Sequence, residues 1–189
     1  MLEAFLKRMV PYEEEKLQEF MKEFTVIKYS KGDILHEQGE ILNVCFFVLD
    51  GCLRQFTLTE EGDEQTIEFY TQEEAVVDFQ SYKQQLPSEY SYVSVVDSTV
   101  LIGEYEIEDA MYEKYPELEK ITRMMVETSF GENQATLAKF KQASPQERYL
   151  NLVEMRPELL EILPQHQLAS YLGMKPESLS RIKKRLSNL

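Results

Sequence analysis

The sequence predicts an α+β protein with an N-terminal antiparallel β-roll or jelly roll, a long connecting helix and a C-terminal all-α helix-turn-helix domain without a clear wing. Short strand-like runs separated by turn residues fill residues 25 to about 104. Helical spacing of apolar residues extends from 107 to 141, and two helices joined by a tight turn are expected within 164–186. The predicted units are 1–115 for the β-roll with N-terminal helices, 116–143 for the long helix and 144–189 for the helix-turn-helix domain.

The composition of the 189 residues is that of an ordinary globular protein, with 43% hydrophobic and 29% charged residues. No run of about 18 apolar residues occurs, so no membrane span is expected. The N-terminus lacks the basic and apolar regions of a secretory signal. Cys45 and Cys52 lie in apolar strand-like runs and are expected to be reduced core residues of a cytoplasmic protein. A disulfide or a redox role is the alternative for this pair.

Residues 1 to about 24 are expected to be helical, because apolar residues recur at helical spacing between Leu17 and Phe24. Pro11 is expected to separate a short first helix from a second. The segment TEEGDEQ, between two alternating runs, predicts a hairpin turn. The expected strands are VIKY, DILH, CFFVL, CLRQFTL, EQTIEFY, SYVSVV and STVLIG.

A long amphipathic helix is expected from Pro116 to about residue 141. Gly131 and Glu132 interrupt its apolar stripe, so a regular coiled coil is not expected. The apolar stripe contains Leu118, Ile121 and Met125.

A new helix start follows the long helix. Ser144 suits the N-cap, Pro145 the first helical position, and Glu147 completes a capping box. The helix is expected to contain YLNLVEM and to end at Arg156-Pro157, as the first helix of the C-terminal all-α domain.

The segment PQHQLASYLGMKPESLSRIKKRL, residues 164–186, predicts a helix-turn-helix. Gly173 suits the left-handed conformation that ends a helix, and Pro176 suits the first position of the next one. An ordinary two-helix corner with a solvated face is the alternative. The residues expected to be buried are Leu168, Ala169 and Leu172 in the first helix and Leu179, Ile182 and Leu186 in the second.

The second helix presents a polar and basic side opposite its apolar residues. Arg can bind guanine bidentately and Glu can accept from cytosine, so this side suits insertion into a major groove. Residues 165–189 carry a net charge of +4, whereas the rest of the chain carries −18, which favours one docking orientation on DNA. The predicted DNA-binding residues are Lys175, Glu177, Ser178, Arg181, Lys184 and Arg185, and Asn188 lies on the same side.

The order of these segments resembles the Crp/Fnr family of bacterial transcription regulators. The resemblance rests on YSKGDILHEQGE, on CFFVLDGCLRQF, on the Gly-containing hairpin and on the terminal helix-turn-helix, and it covers nearly the whole chain. It implies a cytoplasmic homodimer that pairs through the long helix at Leu118, Ile121 and Met125. It also implies double-stranded DNA as partner, a possible small-molecule effector, and RNA polymerase if the protein is an activator.

The recognition helix departs from the family pattern Arg-Glu-x-x-x-Arg. Glu177 and Arg181 match this pattern, while Pro176 replaces the first Arg. Lys175 is a poor N-cap, and its charge is expected to serve a phosphate. The base that the first Arg reads in relatives is therefore expected to differ here.

The effector region also departs from the family. In cyclic-nucleotide binders a Gly-Glu pair holds the ribose and an Arg-Ser/Thr pair holds the phosphate; the resemblance aligns Val77 and Asp78 with the first pair and Glu89 and Tyr90 with the second. A carboxylate in place of an Arg repels a phosphate, so cyclic AMP is not the expected effector, although Lys83 could turn inward to compensate. The segment DFQSYKQQLPSEYSY either lines a pocket for a less charged ligand or fills the roll.

No enzyme activity is expected, because no nucleophile motif, phosphate loop or paired metal-ligand spacing occurs. His36 and His166 are isolated and are expected to be structural or solvated, and neither a cofactor nor a metal is expected. The alternative function is a small-ligand-binding or protein-interaction module that has lost DNA reading.

Overall fold

The computed structural model describes residues 2–9 and 12–187. The expected break at Pro11 lies outside the described residues. The helices are α1 (Leu2–Met9), α2 (Glu14–Met21), α3 (Phe79–Gln84), α4 (Glu108–Lys114), α5 (Pro116–Gln142), α6 (Pro145–Met155), α7 (Glu158–Ile162), α8 (Gln165–Tyr171) and α9 (Pro176–Leu186). The strands are β1 (Thr25–Tyr29), β2 (Ile34–His36), β3 (Val44–Asp50), β4 (Leu53–Leu58), β5 (Glu64–Tyr70), β6 (Ala75–Val76), β7 (Ser91–Ser94) and β8 (Ser98–Glu104).

The strands form two four-stranded antiparallel sheets, in the orders β1-β8-β3-β6 and β2-β7-β4-β5. Alternate side chains of both sheets fill the space between them, as expected for a half-buried strand pattern. This architecture, with a long helix and a helical C-terminal region, confirms the predicted fold class. The buried residues between the sheets include Phe46, Val48, Leu53, Tyr92 and Val100.

Helices cover the outer faces of both sheets. On β3, Phe47 points away from the roll interior and meets Phe5 of α1 with ring centroids 4.5 Å apart. On the other sheet, Cys52, Phe69 and Val95 share a core with the leucines of α6 to α9. Because both faces of β3 are covered, its run of apolar residues is continuous instead of alternating.

Tyr115 and Pro116 divide the expected helical region into α4 and α5. Pro116 has no N–H and disfavours a helical conformation at the preceding residue, and Tyr115 accordingly has φ −131° and ψ 78°. The 27-residue α5 then runs through Gly131 without a break. Its first turns pack against α1, α2 and α4 through a cluster of Leu6, Leu17, Phe20, Met111, Tyr115 and Ile121.

Two elements between β5 and β7 were not predicted. The two residues of β6 are too few to show a periodic pattern. Helix α3 begins because Asp78 accepts hydrogen bonds from the backbone N–H groups of Gln80 and Ser81, and it ends at Gln85 in the left-handed conformation with φ 54°. A six-residue helix with a polar sequence carries too little periodicity to distinguish it from a loop.

The predicted capping box at the start of α6 is confirmed. The backbone N–H of Ser144 donates to Oε2 of Glu147 at 2.8 Å, and the N–H of Glu147 donates to Oγ of Ser144 at 3.4 Å. The last helical residue is Met155, and Arg156 is the C-cap before Pro157, where the sequence predicts the end of the helix.

Candidate nucleic-acid interface and effector region

Helices α8 and α9 form the helix-turn-helix, and Gly173 makes the turn between them. Gly173 has φ +65°, and the N–H of Met174 donates to the carbonyl of Ala169 at 2.9 Å, which closes the end of α8. A side chain at this position would strain the backbone, and its Cβ would lie 3.2 Å from Nη1 of Arg148. The six residues expected to be buried are indeed turned inward: Leu168, Ala169, Leu172, Leu179 and Ile182 are buried and Leu186 is half-buried.

The opposite side of α9 is exposed and basic. Ser178 is half-buried, and Nη2 of Arg181 donates to its Oγ at 3.4 Å. Arg185 donates to Oε1 of Gln146 at the start of α6, so it lies at the edge of the exposed side. The N-cap position of α9 is Lys175, whose side chain makes no capping hydrogen bond to the described residues. The exposed residues of the predicted set are Lys175, Glu177, Arg181, Lys184 and Arg185; Asn188 lies outside the described residues.

The chemistry of this exposed side of α9 suits contact with a nucleic acid. Arg and Lys side chains can neutralise phosphates, and Arg181 and Glu177 can form hydrogen bonds with base edges. The apolar side of α9 is buried in the domain core, so the exposed charges are held on one face.

In the effector region, the structure brings Asp78 together with Ser88 and not with Glu89. Asp78 is 9% exposed, and its Oδ2 accepts from Oγ of Ser88 at 2.7 Å while its Oδ1 accepts the two N–H groups that start α3. Asp78 is therefore occupied as a helix cap, and Glu89 is exposed. Val77 and Tyr90 are half-buried beside this region.

Lys83 does not turn toward the roll interior. Its Nζ binds Oε2 of Glu108, and it lies 5.3 Å from the ring centroid of Tyr105 and 5.2 Å from that of Tyr82. Lys83, the cation that the sequence allowed to compensate, is thus held at the surface by Tyr82, Tyr105 and Glu108.

A chain of hydrogen bonds occupies the interior of the roll. The hydroxyl of Tyr70 donates to Oε1 of Gln55 at 2.9 Å, and Nε2 of Gln55 donates to the hydroxyl of Tyr92 at 3.1 Å. Sequence reasoning missed these residues, although the alternation of CLRQFTL places Gln55 on the same face as the buried Leu53. The interior is therefore polar and uncharged at this point.

His36 lies next to this chain, with its ring centroid 6.2 Å from that of Tyr92. It is buried, its Nε2 has no hydrogen-bond partner among the described residues, and burial lowers the pKa of the imidazole. His166 is exposed on α8. Within residues 2–9 and 12–187, no group of three or more His, Cys, Asp or Glu side chains is arranged to hold a metal ion.

The stripe expected to form the dimer interface packs mainly within the chain itself. Ile121 is 8% exposed in the cluster with α1, α2 and α4, and Leu118 and Met125 pack against the same cluster. The exposed apolar residues of α5 include Val126, Phe130 and Leu137, which are 36%, 63% and 53% exposed. At ~100° per residue these three lie within about 40° of one another, on a different side of the helix from Ile121. Sequence periodicity alone did not separate these two apolar sides, because it does not show which side the N-terminal helices cover.

Both cysteines are reduced and lie in the β-roll. Burial raises the pKa of the Cys52 thiol to about 12 and also raises that of Cys45. Thiols held in the neutral form by burial are poor nucleophiles, which fits the predicted role of core residues. No helix in the described part of the chain is long and apolar enough to cross a membrane.

Comparison with known proteins agrees with this architecture. Residues 26–115 match the cyclic nucleotide-binding domain family. The Thermus thermophilus catabolite activator protein is 21% identical, with 94% of this chain and 85% of that chain covered and a TM-score of 0.54. FixK2 from Bradyrhizobium japonicum is 17% identical, with 87% of this chain and 85% of that chain covered and a TM-score of 0.69. The c-di-GMP-responsive global regulator CLP of Xanthomonas campestris is 13% identical, with 93% of this chain and 92% of that chain covered and a TM-score of 0.70.

No match was found among curated protein sequences. At these identities the solved structures establish the fold, which spans both the roll and the helix-turn-helix. Residues 26–115 thus form a cyclic nucleotide-binding-type domain, and the chain as a whole has the fold of the Crp/Fnr-type transcription regulators.

Proposed function

We propose that this protein is a cytoplasmic, dimeric transcription regulator that reads a palindromic operator with α9. The observation that carries the proposal is the exposed face of α9, where Lys175, Glu177, Arg181, Lys184 and Arg185 stand opposite the buried Leu179 and Ile182. An exposed, basic second helix is the part of a helix-turn-helix that enters a major groove. The role is regulatory and not enzymatic, and RNA polymerase is a partner if the protein activates transcription.

The occupant proposed for the exposed side of α5 is a second copy of this chain. Val126, Phe130 and Leu137 are separated by four and seven residues, which is the spacing of an apolar seam between paired helices. Asn133 lies on the same side and would place a polar residue in this seam, where an Asn can fix the register of two helices. A two-fold axis along α5 would also present two copies of α9, which half-sites about 34 Å apart require.

The effector proposed for the roll, if one exists, is not a cyclic nucleotide. The aligned acidic residues, Asp78 and Glu89, are a helix cap and an exposed side chain, and neither can hold a cyclic phosphate. A ligand that enters the roll interior must replace the hydrogen bonds among Tyr70, Gln55 and Tyr92. Such a ligand would be small, uncharged and able to form hydrogen bonds.

The experiment is selection of bound fragments from the host genome by the full chain, followed by affinity measurements on the recovered sequence. We expect an inverted repeat with half-sites one helical turn apart, and an affinity that falls with salt concentration. A single half-site and a scrambled duplex of equal length are the matched controls. Recovery of no shared sequence, with equal binding to all three duplexes, would favour the alternative of a ligand-binding or interaction module, which the charge of −18 outside residues 165–189 would suit.

A further inference from the structure

The helix-turn-helix domain is docked on the outer face of the β2-β7-β4-β5 sheet of its own chain. Oγ of Ser170 on α8 accepts from the backbone N–H of Thr66 on β5 at 2.9 Å. The ring of Tyr171 meets that of Phe69 edge to face, with centroids 5.3 Å apart. The apolar cluster between them includes Cys52, Phe69, Val95, Leu152, Leu159, Leu163 and Leu168.

Arg156, the C-cap residue of α6, connects this domain to the end of β5 and to the turn that follows. Its Nη1 donates to the carbonyl of Phe69 at 2.9 Å and lies 3.3 Å from Oε1 of Glu68. Its Nη2 donates to Oγ1 of Thr71 at 3.1 Å and to Oε2 of Glu74 at 3.0 Å. The side chain is 21% exposed, so these charged hydrogen bonds are partly shielded from water.

This set of partners requires a guanidinium group. Two of its nitrogens bind four acceptors, two in the last residues of β5 and two in the turn that follows the strand. A Lys ammonium is a single point with three donors and cannot span the same acceptors. The contact is therefore specific to Arg at this position.

We propose that Arg156 is a positioning residue that holds the helix-turn-helix domain in one orientation on the roll, so that the two recognition helices of a dimer are presented to both half-sites together. This inference rests on the proposed function. The exposed face of α9 stays open in the docked arrangement, so docking does not block DNA. Without Arg156, the domain is joined to α5 by Ala143 and Ser144 and is held on the sheet by the apolar cluster and the Ser170 hydrogen bond, and ordering it on DNA costs entropy.

Cys52 provides a readout of docking that does not require DNA. It is fully buried in the cluster between sheet and domain, so the docked domain shields it from reagents, and burial also raises the pKa of its thiol. Cys45 lies on β3, in the other sheet, and serves as the internal reference. Alkylation of the full chain with iodoacetamide at pH ~8, followed by peptide mass spectrometry, measures both thiols in one sample.

We expect Arg156→Ala to speed Cys52 labelling about tenfold or more relative to Cys45, since charged hydrogen bonds are lost. Ser170→Ala removes a separate docking contact and should therefore also speed Cys52 labelling. Ala has a higher helix propensity than Ser, so this substitution should leave α8 intact. Arg8→Ala is the matched control: Arg8 binds Glu73 in the turn after β5, but from α1. Arg156→Lys should give an intermediate rate.

In the DNA arm, Arg156→Ala should lose about tenfold in affinity for the palindrome and keep its affinity for a single half-site, because α9 is unchanged. Equal losses on both duplexes would show general damage to the domain and would overturn the positioning role. Unchanged Cys52 labelling in folded Arg156→Ala and Ser170→Ala would also overturn it. If the wild-type chain shows no preference for a palindrome, the proposed function fails, and Cys52 labelling then decides alone whether Arg156 holds the domain.

Discussion

Arg181 and Lys184 lie on the same exposed face of α9 but offer different chemistry. Arg181 is in the middle of the helix beside Ser178, and its planar fork can bind two acceptors on a guanine edge. Lys184 is a compact charge in the last turn, which suits a phosphate oxygen. The two residues therefore form a matched pair for separating base reading from backbone binding.

We expect Arg181→Ala to cost about 1–3 kcal/mol on the specific operator and to relax the preference at one base pair. Lys184→Ala should weaken binding to every sequence and reduce the salt slope by about one unit. Fluorescence anisotropy on the operator, on single-base variants and on a scrambled duplex at several salt concentrations measures both effects. If both variants lose the same affinity on all sequences, Arg181 does not contact a base.

Asp78 illustrates how a residue at an expected ligand position can serve the fold. It accepts two backbone N–H groups and the hydroxyl of Ser88. We expect Asp78→Ala to lower the free energy of unfolding by about 1–3 kcal/mol, because these buried donors lose their acceptor. Chemical denaturation measures this loss, and Ser144→Ala, which removes the exposed cap of α6, should cost about 1 kcal/mol as a reference. If the Asp78→Ala protein is as stable as wild type, Asp78 does not serve mainly as a helix cap, and a role in ligand binding is then favoured.

At the scale of elements, α5 has two apolar sides with different partners. The side of Ile121, Leu118 and Met125 faces the N-terminal helices, whereas the side of Val126, Phe130 and Leu137 is exposed. The second apolar side supports the proposed dimer interface, because exposed large apolar residues in register are unfavourable in water.

Phe130→Asp should therefore weaken dimerisation and lower palindrome affinity while leaving the monomer fold intact, since Phe130 is 63% exposed. Sedimentation velocity across a concentration series measures the association. Met125→Asp is the contrasting variant: it places a charge against the N-terminal cluster and should lower the free energy of unfolding by about 1–3 kcal/mol. If Met125→Asp dissociates the dimer at unchanged stability while Phe130→Asp does not, the interface lies on the side that the sequence first indicated.

At the scale of the whole molecule, the roll combines the fold of a nucleotide-binding domain with a negative net charge that disfavours nucleotides. The roll has the fold of a cyclic nucleotide-binding domain, yet the chain outside residues 165–189 carries −18. A field of that sign disfavours a phosphate-bearing ligand, and in the proposed complex it would keep the acidic body away from DNA while the basic C-terminal segment approaches it.

Titration calorimetry with cyclic AMP or cyclic GMP to millimolar concentration should consequently show no saturable heat, and operator affinity should not change. The physical reason is the absence of a cation at the aligned position, where Glu89 is exposed and Lys83 is bound to Glu108. Micromolar binding that disappears in Lys83→Ala would show that Lys83 had left Glu108 to hold the phosphate. Micromolar binding that persists in Lys83→Ala would place the phosphate on other groups.

Local signals in the sequence were sufficient for most elements. The seven longer strands, the capping box at Ser144 and the turn at Gly173 each depend on residues close in the chain, and each was predicted. The exposed set on α9 was also predicted, because helical geometry alone divides its apolar from its basic side.

Contacts between distant residues required the tertiary structure. Only the packing of α1 and α2 decides which side of α5 remains exposed, and only the folded roll brings Gln55, Tyr70 and Tyr92 into one hydrogen-bonded chain. Arg156 was predicted merely as a helix end, because nothing near it in sequence shows that Glu68, Thr71 and Glu74 lie beside it. The sequence by itself thus determined the elements and the chemistry of the exposed side of α9. The tertiary structure decided which surfaces are covered and how the helix-turn-helix domain is held, since periodicity describes one element and burial depends on its neighbours.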